Sequence, residues 1–219
     1  MVRTEAGRAA VWDFPVRAIH WLLAVLIPFS WWSATNEHLP WHRLSGYTIL
    51  GLLVFRLIWG FVGSPTARFR QFLRGPRGVI FYLSGKAGPV LGHNPLGGWS
   101  VVAMLGVLAA QVGLGLFSVD EDSIEAGPLS KFLSFDTSRA IARLHGQLFW
   151  VLFWLIGLHV AAIAVYALRR RNLVGPMITG AAALPQDAEA PPLAPLWRVL
   201  PVGALAAAVA WFVAHGLRL

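Results

Sequence analysis

Five long apolar segments that almost lack charge constrain the fold of this chain more than any other feature. A helix of about 20 apolar residues spans the hydrocarbon core of a bilayer, which is about 30 Å thick. Arg56 is the one charged residue in the five segments, which are Ala18–Asn36, Leu44–Gly63, Gly97–Val119, Leu144–Leu168 and Val199–Gly216. The composition agrees, because 57% of the 219 residues are hydrophobic and 13% are charged. The sequence therefore predicts an all-α integral membrane protein with five transmembrane helices.

The basic residues outside these segments indicate how the chain is oriented. Lys and Arg in short loops are retained on the cytoplasmic side of a membrane. Twelve of them lie in the N-terminal segment, the loop 64–96 and the region 169–198, whereas five lie in the opposite loops. The loop after the third segment is acidic, with Asp120, Glu121, Asp122, Glu125 and Asp136. We therefore expect a cytoplasmic N-terminus, and we attribute the net charge of +8 to cytoplasmic loops rather than to nucleic-acid binding.

The proline-rich stretch 181–195, AAALPQDAEAPPLAP, predicts an extended cytoplasmic linker, because its prolines disfavour a helix. The linker divides a four-helix domain, residues 1–180, from an appended transmembrane helix in residues 196–219. The arginine-rich loop RFRQFLRGPRG, residues 68–78, is compatible with a short helix on the anionic inner membrane surface and equally with a solvated basic loop.

Histidines inside the predicted spans are the candidate cofactor ligands. The chain has no cysteine, which excludes iron–sulfur clusters and covalently attached c-type haem. His145 and His159 lie fourteen residues apart on the fourth span, so they share a helix face and stand roughly 21 Å apart along the axis. One of them is therefore near each membrane surface.

Two further histidines match these depths on other helices. His20 lies near the cytoplasmic start of the first span, at the depth of His159, and His42 lies at the outer start of the second, at the depth of His145. Two histidines on facing helices can ligate the iron of a b-type haem from both sides, which favours electron transfer over substrate binding. We therefore predict a four-helix bundle holding two haems, ligated by His20 with His159 and by His42 with His145.

Other functions of these histidines remain open. A proton or metal transporter could also use a chain of intramembrane histidines, although such relays usually include acids and the predicted spans contain no Asp or Glu. A membrane anchor for a soluble enzyme is a third interpretation, in which the histidines are structural.

Four more residues are candidates for binding the cofactor periphery. Arg56 lies fourteen residues after His42, on the same helix face and near the inner side, where its guanidinium could pair with a haem propionate or extend to the interface. Arg17 and Arg68 are weaker candidates for the same task. His93 could face a propionate or a quinone head group.

Several fragments together resemble the bacterial di-haem cytochrome b561 family, which includes the b-type cytochrome subunits of nickel–iron hydrogenases. The fragments, which span Val11 to Gly180, are VWDFPVRAIHW, His42 with Gly46, RLIWGFVG, HNPLGGW, RLHG and GLH. The resemblance implies a four-helix bundle in the bacterial inner membrane with His20, His42, His145 and His159 as haem ligands. It also implies that electrons pass between ubiquinone or menaquinone and a partner outside the membrane core.

The redox partner stays open at this point. The fifth helix lies outside the four-helix core, and Gly113-Leu114-Gly115 stands where hydrogenase relatives often have a Thr-Gly pair. A hydrogenase, another dehydrogenase and a periplasmic c-type cytochrome are all compatible partners, as is assembly into an oligomer. The resemblance also admits oxidation of superoxide at the outer haem, with quinone as acceptor.

Overall fold

The chain forms a bundle of long helices in a computed structural model that describes residues 8–86, 92–120, 125–184 and 191–218. Glu121 and Asp122 of the acidic loop and residues 185–190 of the predicted linker lie outside these ranges. The helices are α1 (Phe14–Thr35), α2 (Leu39–Val62), α3 (Phe69–Phe72), α4 (Pro76–Leu83), α5 (Pro95–Phe117), α6 (Phe135–Leu168), α7 (Val174–Thr179) and α8 (Val199–Ala214). Short 3₁₀ turns at Pro65–Ala67, Ser130–Phe132 and Leu196–Arg198 connect some of them.

Polar side chains begin the long helices. The side chains of Asp13, Asn94 and Ser134 accept hydrogen bonds from the backbone N–H groups of Val16, Gly97 and Thr137, respectively. Each bond satisfies one of the amides that a helix leaves free at its first turn.

Within the described residues, five helical segments are long and apolar enough to cross a membrane, which confirms the predicted helical membrane fold. They are Phe14–Thr35, Leu39–Val62, Pro95–Phe117, Phe135–Leu168 and Leu196–Ala214. The fourth begins well before the predicted start at Leu144, because Ser134 caps a charged first part that includes Asp136, Arg139 and Arg143. Apolar character alone cannot detect this extension, since it carries the helix beyond the hydrocarbon core.

The four helices α1, α2, α5 and α6 meet at an apolar cluster. Its buried members are Ile49 and Leu53 of α2, Leu108 of α5 and Leu152 of α6, and Leu23, Leu26 and Ile27 of α1 pack against them. Leu152, which is 2% exposed, lies seven residues from both His145 and His159. The cluster therefore separates the levels of these two histidines. On the outside of the bundle, large apolar side chains such as Trp154, Leu158 and Leu200 are exposed, as expected of surfaces that face lipid.

The remaining elements cover the end of the bundle at which α1 begins. Strand β1 (Arg8–Ala10) pairs antiparallel with β2 (Ala181–Ala183), with Ala9 opposite Ala182. The first residues of the predicted linker thus belong to a small sheet. The arginine-rich loop forms the short helices α3 and α4, so the helical interpretation of this loop is the correct one.

Candidate cofactor sites

One site contains His20 of α1 and His159 of α6, and we call it the inner site, and its counterpart the outer site, after the orientation that the basic loops predict. Their ring centroids are 6.3 Å apart, with 57° between the ring planes. The Nδ1 atom of His20 is buried and has no hydrogen-bond partner in the described part of the chain. The Nδ1 nitrogen of His20 is thus available to a ligand.

The outer site contains His42 of α2 and His145 of α6. Their ring centroids are 6.0 Å apart, at 83°. Nδ1 of His42 lies 2.8 Å from the carbonyl oxygen of Ser30 on α1, and Nδ1 of His145 lies 2.9 Å from that of Gln111 on α5. A carbonyl can only accept, so each Nδ1 is the protonated nitrogen and each Nε2 carries the lone pair, which at His145 faces Nε2 of Gln111 at 3.4 Å.

Each pair of imidazoles fits the iron of a haem, which the porphyrin ring already coordinates. Two imidazoles on opposite sides of one metal, each at a bond length of about 2 Å, have centroids separated by roughly 6 Å. A bare metal ion is usually held by three or more protein ligands, and within the described residues no group of three His, Cys, Asp or Glu side chains could hold one. A Cβ atom built on Gly46 or Gly146 would meet nothing within 4 Å, so neither glycine is packed closely against a neighbouring helix.

Three arginines lie at the same end of the bundle as the inner pair. Arg56 is 5% exposed, lies over the ring of Phe69 at 5.0 Å, and has a buried Nη1 with no partner among the described residues. Arg17 donates one guanidinium nitrogen to the carbonyl of Ile178, while its Nε is buried without a partner. Arg68 donates Nε to the carbonyl of Gly63 at 2.8 Å, which closes the end of α2. Arg56 and Arg17 therefore offer free donors to an anionic group.

A comparison with protein families identifies the kind of protein that this geometry serves. A family model described as prokaryotic cytochrome b561 matches residues 11–180. The chain belongs to the prokaryotic cytochrome b561 family. No curated protein and no solved structure matches it. Membership makes the chain a multi-pass membrane cytochrome that binds b-type haem and transfers electrons across the membrane.

The matched region holds every predicted site residue of this cytochrome b561, including His93. The His93 ring lies between those of Trp12 and Phe72, at centroid distances of 4.6 and 4.8 Å. Burial, together with the charge of Arg56, lowers the pKa of His93 to about 3, so the imidazole is neutral at pH 7. Its buried Nδ1 has no partner within the described structure, and this nitrogen is available to a ligand at the inner site.

Three residues at these sites were absent from the sequence-based prediction. Gln111 and Ser30 contact the outer histidines through backbone carbonyls and also through their side chains, since Oγ of Ser30 lies 3.1 Å from Nδ1 of His42 and Nε2 of Gln111 lies 3.4 Å from Nε2 of His145. Asp13 is buried at the start of α1 and accepts from Trp59 Nε1 at 2.8 Å. Its position seven residues before His20, and so on the same helix face, is the signal that could have drawn attention to it.

The two remaining histidines lie away from both pairs. His38 stands beside Trp32 at the start of α2, with ring centroids 5.4 Å apart. His215 follows α8 and its Nδ1 lies 2.7 Å from the carbonyl oxygen of Trp211.

Proposed function

We propose that the chain is a di-haem cytochrome of the bacterial inner membrane that carries electrons between the quinone pool and a periplasmic redox partner. The observation that carries the proposal is the presence of two cross-helix histidine pairs, with centroids 6.3 and 6.0 Å apart, on a bundle whose α6 contributes one histidine to each. The partner is a c-type cytochrome, a hydrogenase or another dehydrogenase.

Each histidine pair has a defined task in this scheme. A bound haem supplies an iron that gains and loses one electron without making or breaking bonds. His20 with His159 would hold one haem iron and His42 with His145 the other, which suits electron transfer rather than substrate binding. The fixed imidazoles keep the reorganisation between redox states small.

Polar side chains around the inner site would bind the propionate groups of its haem. Arg56 and Arg17 donate to carboxylates through their free nitrogens, Arg68 adds positive charge, and neutral His93 donates or accepts one hydrogen bond. The cytoplasmic N-terminus that the basic loops predict would place this site near the cytoplasmic face.

Haem counting with single-histidine variants tests the proposal. We expect two haems per chain by pyridine haemochrome assay of the purified protein, with low-spin spectra. His20→Ala and His159→Ala should each remove one and the same centre, and His42→Ala and His145→Ala the other, while the control His38→Ala retains both. One haem per wild-type chain, or loss of the same centre in His20→Ala and His145→Ala, would show the scheme to be wrong.

Reduction of the haems by a soluble quinol tests the quinone assignment separately. A stopped-flow experiment should show the α-band of reduced haem b appearing after mixing oxidised protein with a short-chain quinol. Haems that dithionite reduces and the quinol leaves oxidised would contradict exchange with the quinone pool.

A further inference from the structure

Two charged side chains are buried in the described part of this protein, and both lie at the end of the bundle where α1 begins. Asp13, 4% exposed, precedes α1, and Arg56, 5% exposed, lies in the last third of α2. Isolated charges are costly to bury beside a bilayer, so an acid and a base buried at one site require an explanation.

The carboxylate of Asp13 connects α1 to α2. Oδ1 accepts from the backbone N–H of Val16 at 2.9 Å, and Oδ2 accepts from Nε1 of Trp59 at 2.8 Å. Trp59 is fully buried and lies one turn after Arg56 on α2. Both oxygens of the acid are therefore occupied by donors other than the guanidinium.

Arg56 interacts electrostatically with Asp13, but one of its guanidinium nitrogens has no hydrogen-bond partner in the described structure. The Coulombic attraction of Asp13 acts on the guanidinium, yet no ion pair joins Asp13 to Arg56 within the described structure. Nη1 of Arg56 stays buried and unpartnered. The negative charge of Asp13 thus offsets part of the positive charge of Arg56, and Nη1 of Arg56 remains unpaired.

Asp13 and Arg56 lie at the same end of the bundle as the inner histidines. Asp13 lies two turns before His20 on the same face of α1, roughly 10 Å along the axis. The charge of Arg56 acts on His93, which also interacts electrostatically with His20 and His159.

We propose that Asp13 is a positioning residue that keeps Arg56 available to the inner haem and whose negative charge sets the reduction potential of that haem. The inference rests on the proposed function, in that it assumes a haem between His20 and His159. The sign follows from electrostatics. A reduced haem carries one more negative charge than an oxidised haem, so a nearby carboxylate disfavours reduction and a nearby guanidinium favours it.

Asp13→Asn separates charge from helix capping, because Asn caps a helix start as well as Asp does. The substitutions are made in a His42→Ala background that retains the inner haem alone, and the midpoint potential of this haem is measured by spectroelectrochemical titration. Asp13→Asn should raise the potential. Arg56→Gln should lower it, and the double variant should return toward the value of the background protein. Asp136→Asn, an exposed acid in the first turn of α6, serves as the control and should cause no shift.

Trp59→Phe tests the alternative that the hydrogen bond between Trp59 and Asp13, and not the charge of Asp13, sets the reduction potential. This variant removes the donor to Oδ2 and keeps the charge of Asp13, so the potential should not rise as it does in Asp13→Asn. An unchanged potential in Asp13→Asn with haem bound, or equal rises in Asp13→Asn and Trp59→Phe, would overturn the inference. If Asp13→Asn does not fold, an unchanged potential in Arg56→Gln would overturn it as well. Loss of all haem from the background protein would instead contradict the proposed function.

Discussion

At the residue scale, the histidines of the two sites are held in different ways. His42 and His145 donate their Nδ1–H groups to carbonyl oxygens on neighbouring helices, so the fold orients both rings without help from a cofactor. Nδ1 of His20 has no such partner in the described ranges. The outer imidazoles are therefore preorganised for a metal, whereas the ring of His20 is fixed less tightly before a cofactor binds.

Gly115 is a residue on which the outer site depends. A Cβ atom at this position would lie 3.0 Å from Cε1 of His145, closer than ordinary contacts, so Gly115→Ala must displace the imidazole. Because substitutions that disturb ligand orientation usually cost about 10- to 100-fold in affinity, we expect about a tenfold weaker outer haem, seen by haem titration of the apoprotein.

Gly113→Ala provides the matched control for this prediction. A Cβ atom at Gly113 would meet nothing within 4 Å, so this variant should bind both haems like the wild type. Equal losses in the two variants would mean that the third long helix tolerates no added methyl group, and the specific contact with His145 would not be the cause.

The sequence predicts contacts between side chains better than contacts with the backbone. Helix periodicity and depth were sufficient to predict that His20 lies near His159 and His42 near His145, and the structure places both pairs about 6 Å apart. Ser30 and Gln111 contact the rings through carbonyls, which any residue can offer, and also through polar side chains, whose position within apolar spans is their one sign in the sequence. The role of Gly115 became visible only with the position of the His145 ring.

At the scale of elements, α8 lies outside the region that the family model matches. It packs along α2, where the Cβ of Ala210 would lie 3.5 Å from a Cβ built on Gly51, and its Val202 is buried with Val16 and Trp59. After α8, the carbonyl of Gly216 accepts a hydrogen bond from Lys131. The helix covers an outer face of α2 and contributes none of the four proposed haem ligands.

Removal of α8 should therefore leave haem binding intact. We expect a chain that ends at Pro195 to bind two haems, since lipid can cover the exposed face of α2 about as well as a helix does. The loss of packing should lower the melting temperature by about 2–8 °C, which corresponds to about 1–2 kcal/mol for a domain of this size. The measurement is thermal loss of the Soret band in detergent. A truncated chain with one haem would mean that packing of Val202 on Trp59 supports the inner site.

Elements held by local signals were easier to predict than those held by distant contacts. The five apolar segments predicted all five long helices, and the arginine-rich loop was compatible with the short helices found there. The pairing of β1 with β2 was not predicted, because both strands consist mainly of alanine, which has a low strand propensity, and their partners are more than 170 residues apart.

At the scale of the whole molecule, the three basic segments meet at one end of the bundle. The pairing of β1 with β2 brings the N-terminal segment to the region after α7, and the guanidinium of Arg17 bonds to the carbonyl of Ile178. The side chain of Trp99 bonds to the carbonyl of Arg74, which brings the basic loop to the same end. The Lys and Arg residues that are predicted to stay in the cytoplasm therefore share a single surface, at the end of the bundle that holds His20, His159 and Arg56.

This arrangement predicts which surface is accessible from each side of the membrane. The chain has no cysteine, so single-cysteine variants can be labelled without background. Asp136→Cys at the start of α6 and Arg171→Cys after its end are both exposed positions at opposite ends of one helix. In spheroplasts, a membrane-impermeant maleimide should label Asp136→Cys directly and Arg171→Cys only after permeabilisation. The reverse pattern would mean that the inner and outer sites face the opposite sides of the membrane from those predicted. The pairing of His20 with His159 and of His42 with His145 would be unaffected. It depends on distances within the bundle and not on the side that faces the cytoplasm.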